Sequence, residues 1–343
     1  MEHKIKIETE FKLESGETLP ELELVYHTYG TINSERNNVI WICHALTANS
    51  DAADWWDGLV GEGKLYDPSK YFIVCANVLG SHYGSTNPLS VNPKTGHKYY
   101  RSFPNITVRD MASAHTELRK YLKIDKIHTV VGGSIGSFQA LEWGVLEPKV
   151  MERLIIIAGS AETSPWLVAF NEAQRMAIRA DQTYYLDIDN GGIDGLKAAR
   201  AIALLSYRND TAYNSTQPIE NDDNYLKLKA ISYQQYQGEK LAKRFNAYSY
   251  YRLSRSADSH NLGRNRKSLE QALSTIVAQT LIIGIDSDVL FPLEQQQKMK
   301  DHIKNSRLEI IESKFGHDGF LIENEKIKNI ITEFNPLARE AIN

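Results

Sequence analysis

The sequence predicts an α/β protein built on a mostly parallel sheet with helices on both faces and a helical cap insertion, and three observations carry that expectation. Short apolar runs rich in Val and Ile recur at 38–46, 71–79, 127–131, 153–158, 279–285 and 308–311. Helical or loop material separates most of them, as in strand–crossover–strand units whose buried parallel strands read as continuous apolar segments. The interval 165–275 breaks that rhythm, with no buried-strand run and an abundance of Tyr, Gln, Arg, Lys and Ala. It reads as a mostly helical cap or lid, dividing the chain into a core of 1–164 with 276–343 and an insertion of 165–275. Its place after the sixth strand puts it over the carboxyl ends of the sheet, where open α/β folds bind ligands.

Taken in order, Lys4 to Lys12 and Glu21 to Thr28 alternate in polarity around SGETLP and read as antiparallel strands leading into the sheet. Helices are expected at 108–123, 136–147, 293–304 and 323–333. With 343 residues and 42% hydrophobic content, the chain can bury a substantial core. A net charge of −4 with mixed signs leaves no basic stripe for nucleic acid, and no segment approaches the roughly 20 apolar residues of a membrane span. Neither a nucleic-acid nor a membrane partner is expected. The N-terminus MEHKIKIETEFKLESGE lacks the apolar centre of a secretion signal, so a cytoplasmic location is the expectation. Cys43 and Cys75 lie inside apolar runs and read as reduced core residues; with no CxxC or HExxH spacing, no metal or tightly held cofactor is expected.

The segment IHTVVGGSIGSFQALEW, Ile127 to Trp143, carries the chemistry. Gly132, Ser134 and Gly136 form GxSxG between a β-branched strand and a helix, the pattern of a nucleophile elbow that lifts a serine hydroxyl out of the sheet. Ser134 is the candidate nucleophile. A serine hydroxyl needs a base, and the base needs an acid to fix its tautomer. Where the order is Ser, acid, His, only His260, His302 and His317 follow Ser134. His260 falls inside the insertion and His302 within a polar helical stretch. His317, in the loop SKFGHDGF after the strand RLEIIES, is the preferred base. The acid lies in TLIIGIDSDVLFP, as Asp286 or Asp288; Asp288 stands further into the loop and is preferred. Two backbone amides should receive the oxyanion, Ile135 after the serine and Leu46 in the loop WICHALTANS. His44, just past a buried strand, is assigned a structural role.

Several blocks together resemble the homoserine O-acetyltransferase family, a branch of the α/β-hydrolase superfamily. They are HALT (44–47), NVLGSHYGSTNP (77–88), GGSIG before QALEW, NEAQR (171–175), GLKAARAIALLSYR (195–208), RFNAYSYYRLSRSADSH (244–260), DSDVLFP and GHDGFL. The resemblance implies an α/β-hydrolase fold and a triad of Ser134, Asp288 and His317, with Leu46 and Ile135 supplying the oxyanion amides. It further implies that Arg175 holds the carboxylate and Asp318 the ammonium of L-homoserine, that acetyl-CoA is the acyl donor, and that the enzyme is a homodimer serving methionine biosynthesis. Three residues depart from the family's common pattern: Ala48 after HALT, Ile135 in place of methionine, and Ser137 in place of glycine. All bear on the acyl pocket, because relatives with nearly the same blocks use succinyl donors or accept serine. A hydrolase on the same triad and a non-catalytic binding protein are the other readings that the sequence leaves open.

Overall fold

Val39–Cys43 shows in five residues how this sequence builds two cores at once. Val39, Trp41 and Cys43 face one side, and Ile40 and Ile42 face the other, all of them fully buried. The two-residue period of an extended strand sends alternate side chains to opposite faces, so a continuous apolar run stays in place only with helices covering both. Each such burial contributes roughly 1.5–3 kcal/mol. Along Met151–Ile157, Leu154 and Ile156 join the first core while Ile155 and Ile157 join the second.

The computed structural model describes residues 1–220 and 228–335. Its main sheet has eight strands: β1 (Glu2–Ile7), β2 (Leu22–Tyr29), β3 (Val39–Cys43), β4 (Phe72–Ala76), β5 (Ile127–Gly133), β6 (Met151–Ile157), β7 (Gln279–Ile285) and β8 (Ser306–Ile311). Their order across the sheet is β1-β2-β4-β3-β5-β6-β7-β8. β1 and β2 pair antiparallel, as do β2 and β4, and every other pairing is parallel. The strand expected over Lys4 to Lys12 divides. β1 ends at Ile7, and Phe11–Lys12 pairs with Thr18–Leu19 as a separate two-stranded ribbon. Burial explains the break: Phe11, Leu13 and Leu19 all turn into the first core, which a straight continuation of β1 along the sheet edge does not allow.

Among the described residues the α-helices longer than one turn that frame the sheet and the site above it are α1 (Val108–Tyr121), α2 (Ile135–Leu146), α3 (Pro165–Ala180), α4 (Ile193–Tyr207), α5 (Asp210–Thr216), α6 (Lys229–Ala242), α7 (Ala247–Asp258), α8 (Leu269–Ser274), α9 (Leu293–His302) and α10 (Asn324–Phe334). α1 opens on a capping box in which Thr107 and Asp110 exchange side-chain and backbone hydrogen bonds, satisfying amide groups that the first turn leaves without partners. α3 to α8 run consecutively between β6 and β7. Within this stretch α3 packs on α4 and α7, and α4 packs on α6 and on the turn Gly316–Asp318. Its two ends are zipped together, Thr163 N–H donating to His260 O at 2.8 Å and Leu262 N–H to Ala161 O at 3.0 Å. Residues 221–227 of the expected insertion and 336–343 of the expected core lie outside the described residues. Among the described residues no helix is long and apolar enough to cross a membrane. Cys43 and Cys75 are free and buried, and burial pushes both thiols well up from their ordinary range.

Charge joins the insertion to the core. Glu142 of α2 accepts from Arg109 of α1 at 2.6 Å and from Arg266, which follows α7, at 3.1 Å. Arg109 also reaches Glu14 at 2.7 Å, as does Arg264. The Glu142 side chain is 3% exposed, so removing it takes the carboxylate from Arg266 and one of two from Arg109 in a largely dry seam. Glu142→Ala is expected to cost about 3 kcal/mol of unfolding free energy, read from the urea midpoint at unchanged slope.

Candidate active site

The turn from β5 into α2 fixes the centre of the site. Ser134 sits at φ 56°, ψ −131°, a conformation that L-residues rarely occupy and that costs on the order of 1–3 kcal/mol. Neighbouring glycines make the turn possible by letting backbone approach backbone. A Cβ added to Gly132 would stand 2.2 Å from Gly136 O, and one on Gly136 would stand 2.1 Å from Cys43 O on the adjacent strand. Ser134 N–H donates to Ile157 O at 3.0 Å, tying the turn to β6.

Three side chains from three loops converge here. His317 Nε2 lies 2.8 Å from Ser134 Oγ, and His317 Nδ1 lies 2.7 Å from Asp288 Oδ2. Asp288 is held in turn: its Oδ1 accepts from the amides of Leu290 at 2.8 Å and Phe291 at 3.1 Å. With Nδ1–H facing a carboxylate, Nε2 is left to accept the serine proton. Asp286 does a different job, its carboxylate accepting from Ser313 N–H at 2.9 Å and linking the loops after β7 and β8. His302 ends α9, and His260 is buried against Phe138 with Nε2 on Ser160 O at 2.9 Å. Neither histidine lines the cavity at Ser134.

That cavity, about 420 Å³, lies between the strand ends and the helical insertion. Its floor carries Ser134, His317 and Asp318, one wall is the loop Ala45–Asn49 after β3, and α4 supplies Arg200 and Tyr207. Asp318 pairs with Arg208 at 3.0 Å; burial raises its carboxyl pKa, and the Arg208 charge opposes that shift. Arg200 packs its guanidinium 5.6 Å from the Tyr207 ring centre and, among the described residues, makes no hydrogen bond or ion pair. A second, much smaller space of about 30 Å³ opens beside Ser134, walled mainly by Ile135, Phe138, Leu167, Phe170, Leu290 and Phe291.

Arg175 is not at this cavity. Its Nη2 reaches Asp258 at 2.6 Å and Glu172 at 2.8 Å, its Nε reaches Glu172 at 2.9 Å, and its Nη1 donates to Ser254 Oγ at 2.8 Å. With two carboxylates and a hydroxyl occupying it, and 4% exposure, this guanidinium clamps α3 to α7. Arg200, which the sequence motifs do not single out, stands seven residues before Tyr207. Two helical turns put both on one face of α4.

The other residues that the sequence marks divide between the site and its support. Leu46 and Ile135 both border Ser134, and among the described residues neither N–H donates within the chain. Ile135 lines the small apolar space and Ala48 the larger cavity. Ser137 lines neither: its hydroxyl donates to Ser134 O at 2.5 Å, and it packs so tightly on Gly159 that a Cβ there would stand 1.8 Å from Ser137 Oγ. His44 is wholly buried; Val78 N–H donates to its Nε2 at 3.1 Å, and its Nδ1 faces Ala45 O at 2.8 Å. Burial lowers its pKa to about 4, so it stays neutral.

Known proteins share this sequence pattern and fold. Residues 38–323 match the family model for the alpha/beta hydrolase fold. The chain is 48% identical over 322 residues to a homoserine O-acetyltransferase of Cyclobacterium marinum, covering 94% of this chain and 92% of that protein. The crystal structure of homoserine O-acetyltransferase from Bacillus anthracis superposes with a TM-score of 0.90 at 28% identity, covering 97% of both chains. Esterase E22, at 24% identity and a TM-score of 0.86 over 97% of this chain and all 100% of that one, shares the fold.

Asp288→Asn keeps an acceptor for the Leu290 and Phe291 amides but turns an NH2 toward His317 Nδ1, favouring the tautomer that cannot accept from Ser134. Acylation of Ser134 by p-nitrophenyl acetate, followed as a stopped-flow burst, is expected to slow roughly 10³- to 10⁴-fold.

Proposed function

The chain belongs to the homoserine O-acetyltransferase family of the α/β-hydrolase fold, and from that membership we propose that it transfers an acetyl group from acetyl-CoA to the side-chain hydroxyl of L-homoserine, with Ser134, Asp288 and His317 as the triad. The observation that carries the acceptor is the pair of opposite charges flanking the serine: Arg200 on one wall and Asp318 beside His317. A neutral ester or water needs no such pair. A zwitterionic amino acid needs one cation for its carboxylate and one anion for its ammonium, spaced around its reacting hydroxyl, at roughly 1.5–3 kcal/mol for each charge-assisted hydrogen bond. In this reading Arg200 takes the carboxylate role that the family resemblance gave to Arg175.

The reaction runs in two halves. Ser134 Oγ attacks the thioester carbonyl carbon while His317 Nε2 takes its proton, and the carbonyl oxygen gains its charge between the amides of Leu46 and Ile135. Collapse of this intermediate breaks the C–S bond, the proton passes from His317 to the departing thiolate, and CoA leaves an acetyl-serine. His317 then removes the proton from the homoserine hydroxyl, whose oxygen attacks the ester carbonyl to form a second oxyanion at the same amides; its collapse breaks the bond to Ser134 Oγ, which takes the proton back from His317 as O-acetylhomoserine leaves. Transfer outruns hydrolysis because Arg200 and Asp318 hold the acceptor oxygen over the ester while the helical insertion, acting as a lid, limits water. The apolar space of about 30 Å³ favours acetyl over succinyl: it accommodates a methyl group, and no Arg, Lys or His lines it to meet a second carboxylate. Methionine biosynthesis, a cytoplasmic location and a homodimer complete the reading on the strength of the family resemblance.

Competition between equimolar acetyl-CoA and succinyl-CoA with homoserine, resolved by mass spectrometry, is expected to give O-acetylhomoserine as the dominant product; free acetate alone would overturn transfer in favour of hydrolysis. Arg200→Leu is expected to raise the KM for homoserine roughly ten- to a hundredfold while leaving the acylation burst intact. Arg175→Leu, by contrast, should lower the melting temperature by leaving the half-buried Asp258 without its cation.

A further inference from the structure

Two amides can share an oxyanion only if their spacing is held, and here they come from unlike places. Ile135 opens α2 and is fixed by the helix itself. Leu46 lies in an irregular loop that no helix or strand holds. What joins them is a buried side chain, Gln139, one turn into α2. Its Nε2 donates to Ile135 O at 3.2 Å and to His44 O at 3.1 Å, so a single NH2 group clamps both segments that carry the amides. Since both neighbours are carbonyl oxygens, this orientation of the carboxamide is dictated by chemistry. Its Oε1 then faces His115 Nε2 at 3.0 Å, which requires that nitrogen to carry a proton. His115 is held between Trp41, edge-on at 5.8 Å, and Trp143, stacked at 5.5 Å, and burial keeps it neutral with a pKa near 4. From the other side His44 completes the clamp, donating through Nδ1 to Ala45 O and accepting from Val78 N–H through Nε2. Gln139, His44 and His115 are all buried and none touches either cavity at Ser134.

We infer that Gln139 is the positioning residue of the oxyanion site: its carboxamide sets the spacing of the Leu46 and Ile135 amides, and His115 holds it in the orientation that does so. This inference rests on the assignment of those two amides to the oxyanion in the proposed function. It assigns the QALEW block a part in catalysis exerted entirely through backbone.

The test is Gln139→Met, which keeps length and volume and removes every hydrogen bond. Two quantities are read together: the rate of the p-nitrophenyl acetate burst, and the affinity for a trifluoromethyl ketone, which adds reversibly to Ser134 and places an oxyanion in the site. Both are expected to fall by the same factor, roughly 10- to 100-fold, with KM for the ester nearly unchanged. A slower burst with undiminished ketone affinity, or no change in either, overturns the inference. If that variant fails to fold, His115→Phe keeps an aromatic ring between the tryptophans and removes the N–H that holds Gln139; it should show the same paired losses at smaller size, and unchanged values there overturn the inference equally. Acylation needs no homoserine. A wild-type protein that acylates but releases only acetate therefore defeats the transfer reading and leaves this inference standing.

Discussion

The close approach of the β5–α2 turn to β3 is the constraint on which the rest of the site depends. Gly136 lies so near Cys43 O that no side chain can stand between them, and this contact brings the start of α2 beside the loop after β3. Every later feature inherits that geometry. Ser134 is lifted toward His317 because the turn is too tight for ordinary dihedral angles, and Leu46 and Ile135 line the same small space because their segments nearly touch. The strain at Ser134 is supported by its surroundings: its own N–H bonds to β6, and Ser137 holds its carbonyl oxygen from within the helix. A residue in such a conformation persists where neighbours over-determine it.

Around this centre the protein separates charge by purpose. His44, His115 and His260 are buried without carboxylate partners and kept neutral by burial, serving as rigid hydrogen-bonding struts. His317, equally buried, has the Asp288 carboxylate against its Nδ1 and the Ser134 hydroxyl against its Nε2. Among the arginines the same division holds. Arg175 and Arg109 spend their donors on protein carboxylates, whereas Arg200 lines the cavity and, among the described residues, makes no ion pair. Being buried and cationic therefore does not leave a guanidinium free to meet a ligand.

That distinction explains what could be read in the chain before its structure. Strands declare themselves locally, since a run such as Val39–Cys43 carries its burial on both faces, and the serine turn announces itself through glycines at fixed spacing. Choosing between Asp286 and Asp288 needs more, because both stand at the end of one strand and only the geometry shows which meets His317 and which meets Ser313. Arg175 could not be judged from its neighbours in sequence. Glu172 stands only three residues before it, but Ser254 is 79 residues away and Asp258 lies further still, so the local sequence shows only part of what occupies the guanidinium. The strand expected through Lys12 failed for a related reason, since a ribbon partner at Thr18–Leu19 competes with the sheet edge for the same alternating pattern.

The zipped ends of the helical insertion bear on how the sheet assembles. β6 and β7 pair side by side, Leu154 opposite Thr280, although more than a hundred residues intervene. Joining strands across so long an unstructured chain carries a loop-closure entropy that grows with the logarithm of its length. Hydrogen bonds between 161–163 and 260–262 cut the chain that must be closed to a short tether on either side. An insertion that folds first therefore lowers the entropic cost of registering β7 by about 1.5 kcal/mol. The insertion then acts as a staple that brings distant strands within reach, and a stretch of sequence that interrupts the sheet shortens the path to completing it.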